Sequence, residues 1–212
     1  MAEKFYKNDY KFQKDLRDFA NNNPVGRILK PFLKGIYYKI NPYLPYPRDF
    51  LIRQMASDSI CGEIGVYSGI FAERIVRIGK PKRLYLIDPW QGLVDRTEKK
   101  YSQEAQDVRY YGVIEKFSKQ INDGQVIVVR KTSDDAANDF ADNFFDFLYV
   151  DGDHSYGQVV ADLQNYHSKV KKGGILCGDD YHLDGVKKAV DEFFAKHSLK
   201  LEVKNRQFII HI

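Results

Sequence analysis

From residue 58 onward the chain alternates two hydrophobic rhythms. Short, nearly continuous apolar runs predict buried strands at Ser59–Val66, Arg83–Asp88, Gln125–Arg130, Phe145–Val150 and Ile175–Gly178, with Lys200–Lys204 and Gln207–Ile212 closing the chain. Between them, apolar residues recur at steps of three and four. Phe71, Ala72, Ile75 and Val76 mark one helix, Val159, Leu163, Tyr166 and Val170 a second, and Val186, Ala189, Val190, Phe193 and Phe194 a third. Gly173-Gly174 is expected to stop the second helix. Strand and helix in alternation predict an α/β fold, a mostly parallel sheet with helices on both faces. The last two strands, joined by Asn205-Arg206, predict an antiparallel hairpin at its edge.

Two regions break the rhythm. Asn21–Arg48 has no acidic residue and interleaves Arg27, Lys30, Lys34, Lys39 and Arg48 with tyrosines, while Ile28, Phe32, Ile36 and Ile40 fall four apart. That spacing predicts a short basic amphipathic helix, and residues 1–48 read as an N-terminal extension to a domain over 49–212. Packing on the domain or on a second copy of the chain is favoured over nucleic acid or membrane. Gln91–Gly112 is polar and tyrosine-rich, which suggests a movable lid carrying Trp90, Tyr101, Tyr110 and Tyr111.

Polar residues then gather where the strands end. The first strand runs into Glu63-Ile64-Gly65-Val66-Tyr67-Ser68-Gly69, a glycine turn that leads to a helix and lets a ligand approach the main chain. The second ends in Asp88, placed where such folds set an acid against a ribose diol; the plainer alternative is a turn cap before Pro89. The fourth ends in Asp151, Asp153 and His154, the fifth in Asp179 and Asp180. If these strands are neighbours, the carboxylates crowd one another, and like charges so close need a cation, a shared proton or solvent. Oxygen ligands favour Mg2+ or another hard divalent cation. Helix capping by the same acids is the alternative.

Composition narrows the classes further. The 212 residues are 43% hydrophobic, enough for one domain with a sizeable core. Lys and Arg number 33 against 29 Asp and Glu, and a net charge of +4 is too weak to imply nucleic acid without a concentrated patch. No apolar run is long enough for a membrane span, and MAEKFYKNDYKF lacks a signal-peptide core, so a cytoplasmic protein is expected. Cys61 and Cys177 lie inside apolar runs and read as small buried hydrophobes.

Taken in order, EIGVYSG, IDPW, VDGDHSY and GGILCGDDY resemble the class I S-adenosylmethionine-dependent methyltransferases. The chain is similar in particular to the macrocin O-methyltransferase group, whose metal site is like that of catechol O-methyltransferase. The resemblance implies a Rossmann-like seven-stranded sheet. It implies that Glu63, Gly65, Tyr67 and Gly69 hold the methionine part of S-adenosylmethionine and that Asp88 holds the ribose. Trp90, Ser133, Asp134 and Asp151 complete the cofactor site, with Ser133 and Asp134 beside the adenine; helix capping is their alternative role. Asp151, Asp179 and Asp180 become the metal ligands. Asp153 is the first candidate for the general base, with His154 and His182 as alternatives. The implied acceptor is a hydroxyl of a small molecule or glycan, most simply a sugar. Phenolic or catechol methylation, a nicotinamide-dependent oxidoreductase and a non-catalytic binding module remain as competitors.

Overall fold

The structure, a computed structural model, describes residues 48–92, 98–197 and 199–212, with isolated positions between 15 and 29. The chain divides into two compact units, Met1–Asp49 and Phe50–Ile212. The basic segment Asn21–Arg48 lies, apart from isolated positions, outside the described residues.

After a short helix α1 (Asp49–Ile52), strands and helices alternate as β1 (Ile60–Ile64), α2 (Ile70–Arg74, continued by a π-helical turn Ile75–Gly79), β2 (Arg83–Ile87), α3 (Gln103–Lys116), α4 (Ser118–Asn122), β3 (Val126–Val129), α5 (Ser133–Ala137) and β4 (Phe145–Val150). They continue as α6 (Tyr156–His167), β5 (Val170–Gly178), α7 (Asp184–His197), β6 (Leu201–Lys204) and β7 (Gln207–His211). One seven-stranded sheet has the order β3-β2-β1-β4-β5-β7-β6, with β1 to β5 parallel and β7 antiparallel to both of its neighbours. This is the Rossmann-like mixed sheet that the alternation and the resemblance lead one to expect.

The apolar character of β4 follows from its central place. Successive side chains of a strand point to opposite faces. Leu148 and Val150 enter the core that includes Leu163, Tyr166 and Phe193, whereas Phe147 and Tyr149 enter the core that includes Phe71, Val113 and Phe117. Both cysteines are free and buried, and burial pushes both thiols well up, so they act as the small hydrophobes their setting predicts.

Two expectations are corrected. Helix α6 ends at His167, and Gly173-Gly174 lies inside β5, which begins at Val170 rather than Ile175. The glycines serve the sheet: Gly173 donates to the Ile212 carbonyl at 2.7 Å, Ile212 donates back to Gly174, and a Cβ on Gly174 would sit 2.9 Å from the Asp146 carbonyl oxygen. The segment after β2 is not an open loop over its whole length. Residues 93–97 lie outside the described residues, but Gln103–Lys116 is helix α3, with Val113 and Phe117 buried against the sheet. Among the described residues, no helix is long and apolar enough to cross a membrane.

Leu148 is fully buried and its side chain fills the space above Gly62, where a Cβ would come within 2.5 Å of it. Leu148→Ala should therefore leave a cavity that cannot collapse and cost about 2–5 kcal/mol of unfolding free energy, read from urea denaturation with an unchanged slope.

Candidate active site

The register lines up the ends of four parallel strands. Ile64 pairs with Ile87 and with Val150, and Val150 pairs with Gly178. The next residue on each strand is therefore Gly65, Asp88, Asp151 or Asp179, and all four stand in one row. Each keeps its strand's ladder going by one bond: Gly65 donates to Ile87, Asp88 to Val129, Asp151 to Ile64 and Asp179 to Val150, at 2.8–3.2 Å. The row lies along the carboxyl edge of the sheet, the edge on which open α/β folds bind ligands.

Gly65 has φ 84°, and a Cβ there would fall 2.0 Å from the Asp151 carbonyl oxygen. Only glycine lets the first turn pass this close to the end of β4. Gly69 has φ 69° and precedes α2, while Val113 of α3 and Phe117 just after that helix close over it. Across the turn, Asp88 Oδ2 accepts the Tyr67 N–H at 2.9 Å and Oδ1 accepts the Trp90 N–H at 2.7 Å. A carboxylate has roughly four acceptor positions, so the group keeps some capacity beyond these bonds. Burial raises the Asp88 pKa, opposed by the backbone N–H groups of Tyr67, Trp90 and Val66 and by the Arg109 charge. Glu63 is 2% exposed, in register between Leu86 of β2 and Tyr149 of β4.

Trp90 is turned inward, 1% exposed, and donates its indole N–H to the Tyr67 carbonyl at 2.9 Å. Its ring is thus a buried brace for the turn, not a face offered to a sugar. Tyr67 and Tyr111 are exposed, and the Arg109 guanidinium lies 4.3 Å from the Tyr67 ring centroid. Ser133 and Asp134 open α5, capped by Thr132, whose Oγ1 accepts from the Asp135 N–H.

Beyond β4 and β5, the structure brings together Asp151, His154 and Asp180, each offering a ligand atom within 4.8 Å of the others. His154 Nε2 is 3.6 Å from Asp151 Oδ1 and 3.3 Å from Asp180 Oδ2. The imidazole pKa is raised, chiefly by its bond to Asp151 and then, against burial, by the charges of Asp180, Asp151 and Asp153. Asp179 is not in this group: its Oδ1 accepts from Gln207, which in turn accepts from Tyr149 Oη at 2.7 Å. Asp153 Oδ1 accepts the Ser155 N–H at 2.7 Å, a turn that leads into α6, and Ser155 caps that helix. His182 lies 3.5 Å from Asp180 Oδ1 and receives a hydrogen bond from Arg206.

Sequence reasoning passed over several residues of this neighbourhood. Arg206, in the hairpin turn, lies 3.4 Å from Asp180. Arg130, just past β3, donates to the Pro89 and Trp90 carbonyls and pairs with Asp107. Gln158 and Asp162 point from α6 toward Ser133 and Asp134. For Asp162 a signal existed: it is an acid set in the apolar stripe of Val159, Leu163 and Tyr166.

A glycine turn, an acid closing it and a polar cluster along one carboxyl edge mark a Rossmann-like fold with the place where such folds bind ligands. The comparisons narrow this. A methyltransferase-domain family model matches residues 63–181, more than half of the chain, and the protein belongs to that family. The fold is similar to that of the O-methyltransferase NovP, with TM-score 0.59 and 22% identity over 79% of this chain and 80% of that one. It is similar also to the precorrin-6y C5,15-methyltransferase of Geobacter metallireducens GS-15, with TM-score 0.55 and 18% identity over 77% and 85% of the two chains. Cofactor-bound Rv0187 from MTB gives TM-score 0.53 and 16% identity over 77% and 78%. Among curated proteins, the uncharacterized protein R132 of Acanthamoeba polyphaga mimivirus is 46% identical over 39 residues, 18% of each chain.

Gly65 and Gly152 separate backbone contact from side-chain space. A Cβ on Gly152 would meet only Ile64 and Asp162, at 3.6 and 3.8 Å. Gly152→Ala should change stability by less than about 1 kcal/mol, whereas Gly65→Ala, forced into a left-handed conformation and against a carbonyl, should cost more than about 2 kcal/mol. Thermal denaturation of the two variants side by side checks the contrast.

Proposed function

We propose that the protein is an S-adenosylmethionine-dependent O-methyltransferase assisted by a divalent cation, acting on a hydroxyl of a small molecule, most simply a sugar. The observation that carries this reading is the backbone contact between the glycine turn and Asp151, which sets a cofactor cradle directly beside a carboxylate and imidazole cluster.

The residues present fit both groups. The left-handed glycines, the buried Glu63 and the residual acceptor capacity of Asp88 suit a ribose and an amino-acid moiety. Asp151 and Asp180 suit a hard cation, since magnesium is commonly held by one or two carboxylates and water. Asp179, bonded to Gln207, would orient the end of β5 from outside that pair. S-adenosylmethionine supplies an electrophilic sulfonium methyl, and the cation supplies positive charge that favours an ionised hydroxyl.

The chain's own residues do the rest. Asp88 would accept from the ribose diol, and Tyr67, exposed at the turn, would flank the sulfonium side. His154 is favoured over Asp153 as the base, because Asp153 Oδ1 is engaged by Ser155 while the imidazole faces the two carboxylates. It would take the acceptor hydroxyl's proton at Nε2, readying the oxygen for the methyl group that S-adenosylmethionine would supply. His182, held by Arg206, would border the acceptor.

Calorimetric titration of S-adenosylmethionine into the protein should give micromolar-range binding with either magnesium or chelator present, while methyl transfer to sugar or catechol acceptors should stop with chelator. His154→Asn should lower turnover by about 10²–10⁴ and leave cofactor affinity nearly unchanged. A larger loss in Asp153→Asn than in His154→Asn would return the base to Asp153.

A further inference from the structure

We propose that Asp162 is a positioning residue that sets the cofactor-facing loop at the start of α5 through Gln158. The inference rests on the preceding reading, in which Ser133 and Asp134 face the adenine of S-adenosylmethionine. Asp162 is 1% exposed and sits one helical turn after Gln158 on α6. Its Oδ1 accepts from Gln158 Nε2 at 3.1 Å, and that same amide nitrogen lies 3.2 Å from Ser133 Oγ and 3.4 Å from Asp134 Oδ2. Asn165 donates to Asp134 Oδ1 at 2.9 Å and Tyr166 Oη to the Ser133 carbonyl at 2.8 Å. One face of α6 thus grips the first turn of α5, and Asp162 orients the amide at its centre.

The other oxygen of Asp162 faces the second loop of the site. Oδ2 is buried with no hydrogen-bond partner, and it lies 3.8 Å from where a Cβ of Gly152 would be, between Asp151 and Asp153. A carboxylate left half-satisfied in the interior is a poor way to stabilise a fold, since an uncharged side chain of similar size avoids the desolvation cost. Its place is better explained by what it aligns, the adenine-side loop on one flank and the Asp-Gly-Asp loop on the other. Burial raises its pKa to about 6, opposed by the Ser133 hydroxyl and the Gln158 amide and reinforced by Asp134 on α5 and Asp153 beyond β4. Tyr166, on the same helix, is the remaining titratable neighbour, its pKa raised by burial and by the Asp162 charge. Above that pH the ionised carboxylate holds the amide firmly; below it, protonation weakens the hold.

The test titrates S-adenosylhomocysteine and 5′-methylthioadenosine into the full chain and into Asp162→Asn, at several pH values. The variant should bind both ligands weaker by the same factor, roughly tenfold, without loss of thermal stability. Wild-type affinity for 5′-methylthioadenosine should fall several-fold as pH drops through about 6, while the variant's stays flat. Gln158→Ala, which breaks the bridge while keeping the carboxyl of Asp162 in place, should reproduce the affinity loss even if Asp162→Asn does not fold. Unchanged affinity in both variants, or a loss confined to S-adenosylhomocysteine, overturns the role of Asp162 alone. Failure of the wild-type protein to bind either ligand overturns the cofactor reading and this inference with it.

Discussion

The arrangement of the site depends on one structural constraint, the level register of the parallel strands at their carboxyl ends. Because Ile64, Ile87, Val150 and Gly178 stand side by side, the ladder can continue for exactly one more N–H on each strand, and the residues that donate are Gly65, Asp88, Asp151 and Asp179. A shift of one residue in any pairing would turn that strand's side chains to the opposite face. The apolar runs prevent this, because Leu148 with Val150 and Phe147 with Tyr149 belong to different cores. Packing deep in the sheet therefore sets the positions of carboxylates at its rim.

That rim divides its acids by what each is bonded to. Asp88 is spent partly on tying the glycine turn, Asp179 on Gln207, and Asp153 on starting α6. Asp151 and Asp180 face His154 and raise its pKa against the opposing effect of burial. Asp151 owes its place in this group to the register, which sets it just past Val150 where its N–H reaches the Ile64 carbonyl.

Much of this was legible in the sequence because it follows from local pattern. The strand runs, the amphipathic helices, the closing hairpin and the acids after β2, β4 and β5 all follow from hydrophobic period and from what interrupts it. What local pattern does not carry is tertiary. Gly173-Gly174 resembles a helix stop until β7 is known to run past it, and Trp90 resembles part of a movable lid until its ring is found buried against Tyr110 of α3. Asp179 and Asp180 are adjacent in sequence, yet only the bond from Gln207 on β7 tells them apart. Gln158 reaches Ser133 and Asp134 on another helix, a contact that no spacing within α6 could reveal, whereas Asp162 stands out in the apolar stripe of its own helix.

Backbone strain adds a final distinction. Tyr67, Trp90, Asp180, Asn205 and Arg206 all hold left-handed φ angles between 41° and 71° without being glycine. Such a conformation costs non-glycine residues of order 1–2 kcal/mol each. Two of them flank the turn tied by Asp88, and Asp180 and Arg206 are joined directly by a salt bridge while Tyr181 donates to the Arg206 carbonyl. Strain of this kind persists only where neighbours over-determine it, and here the neighbours are the hydrogen bonds of the site itself. Asn205 and Arg206 hold these angles for a simpler reason, since a two-residue hairpin loop between Lys204 and Gln207 requires positive φ at both central positions.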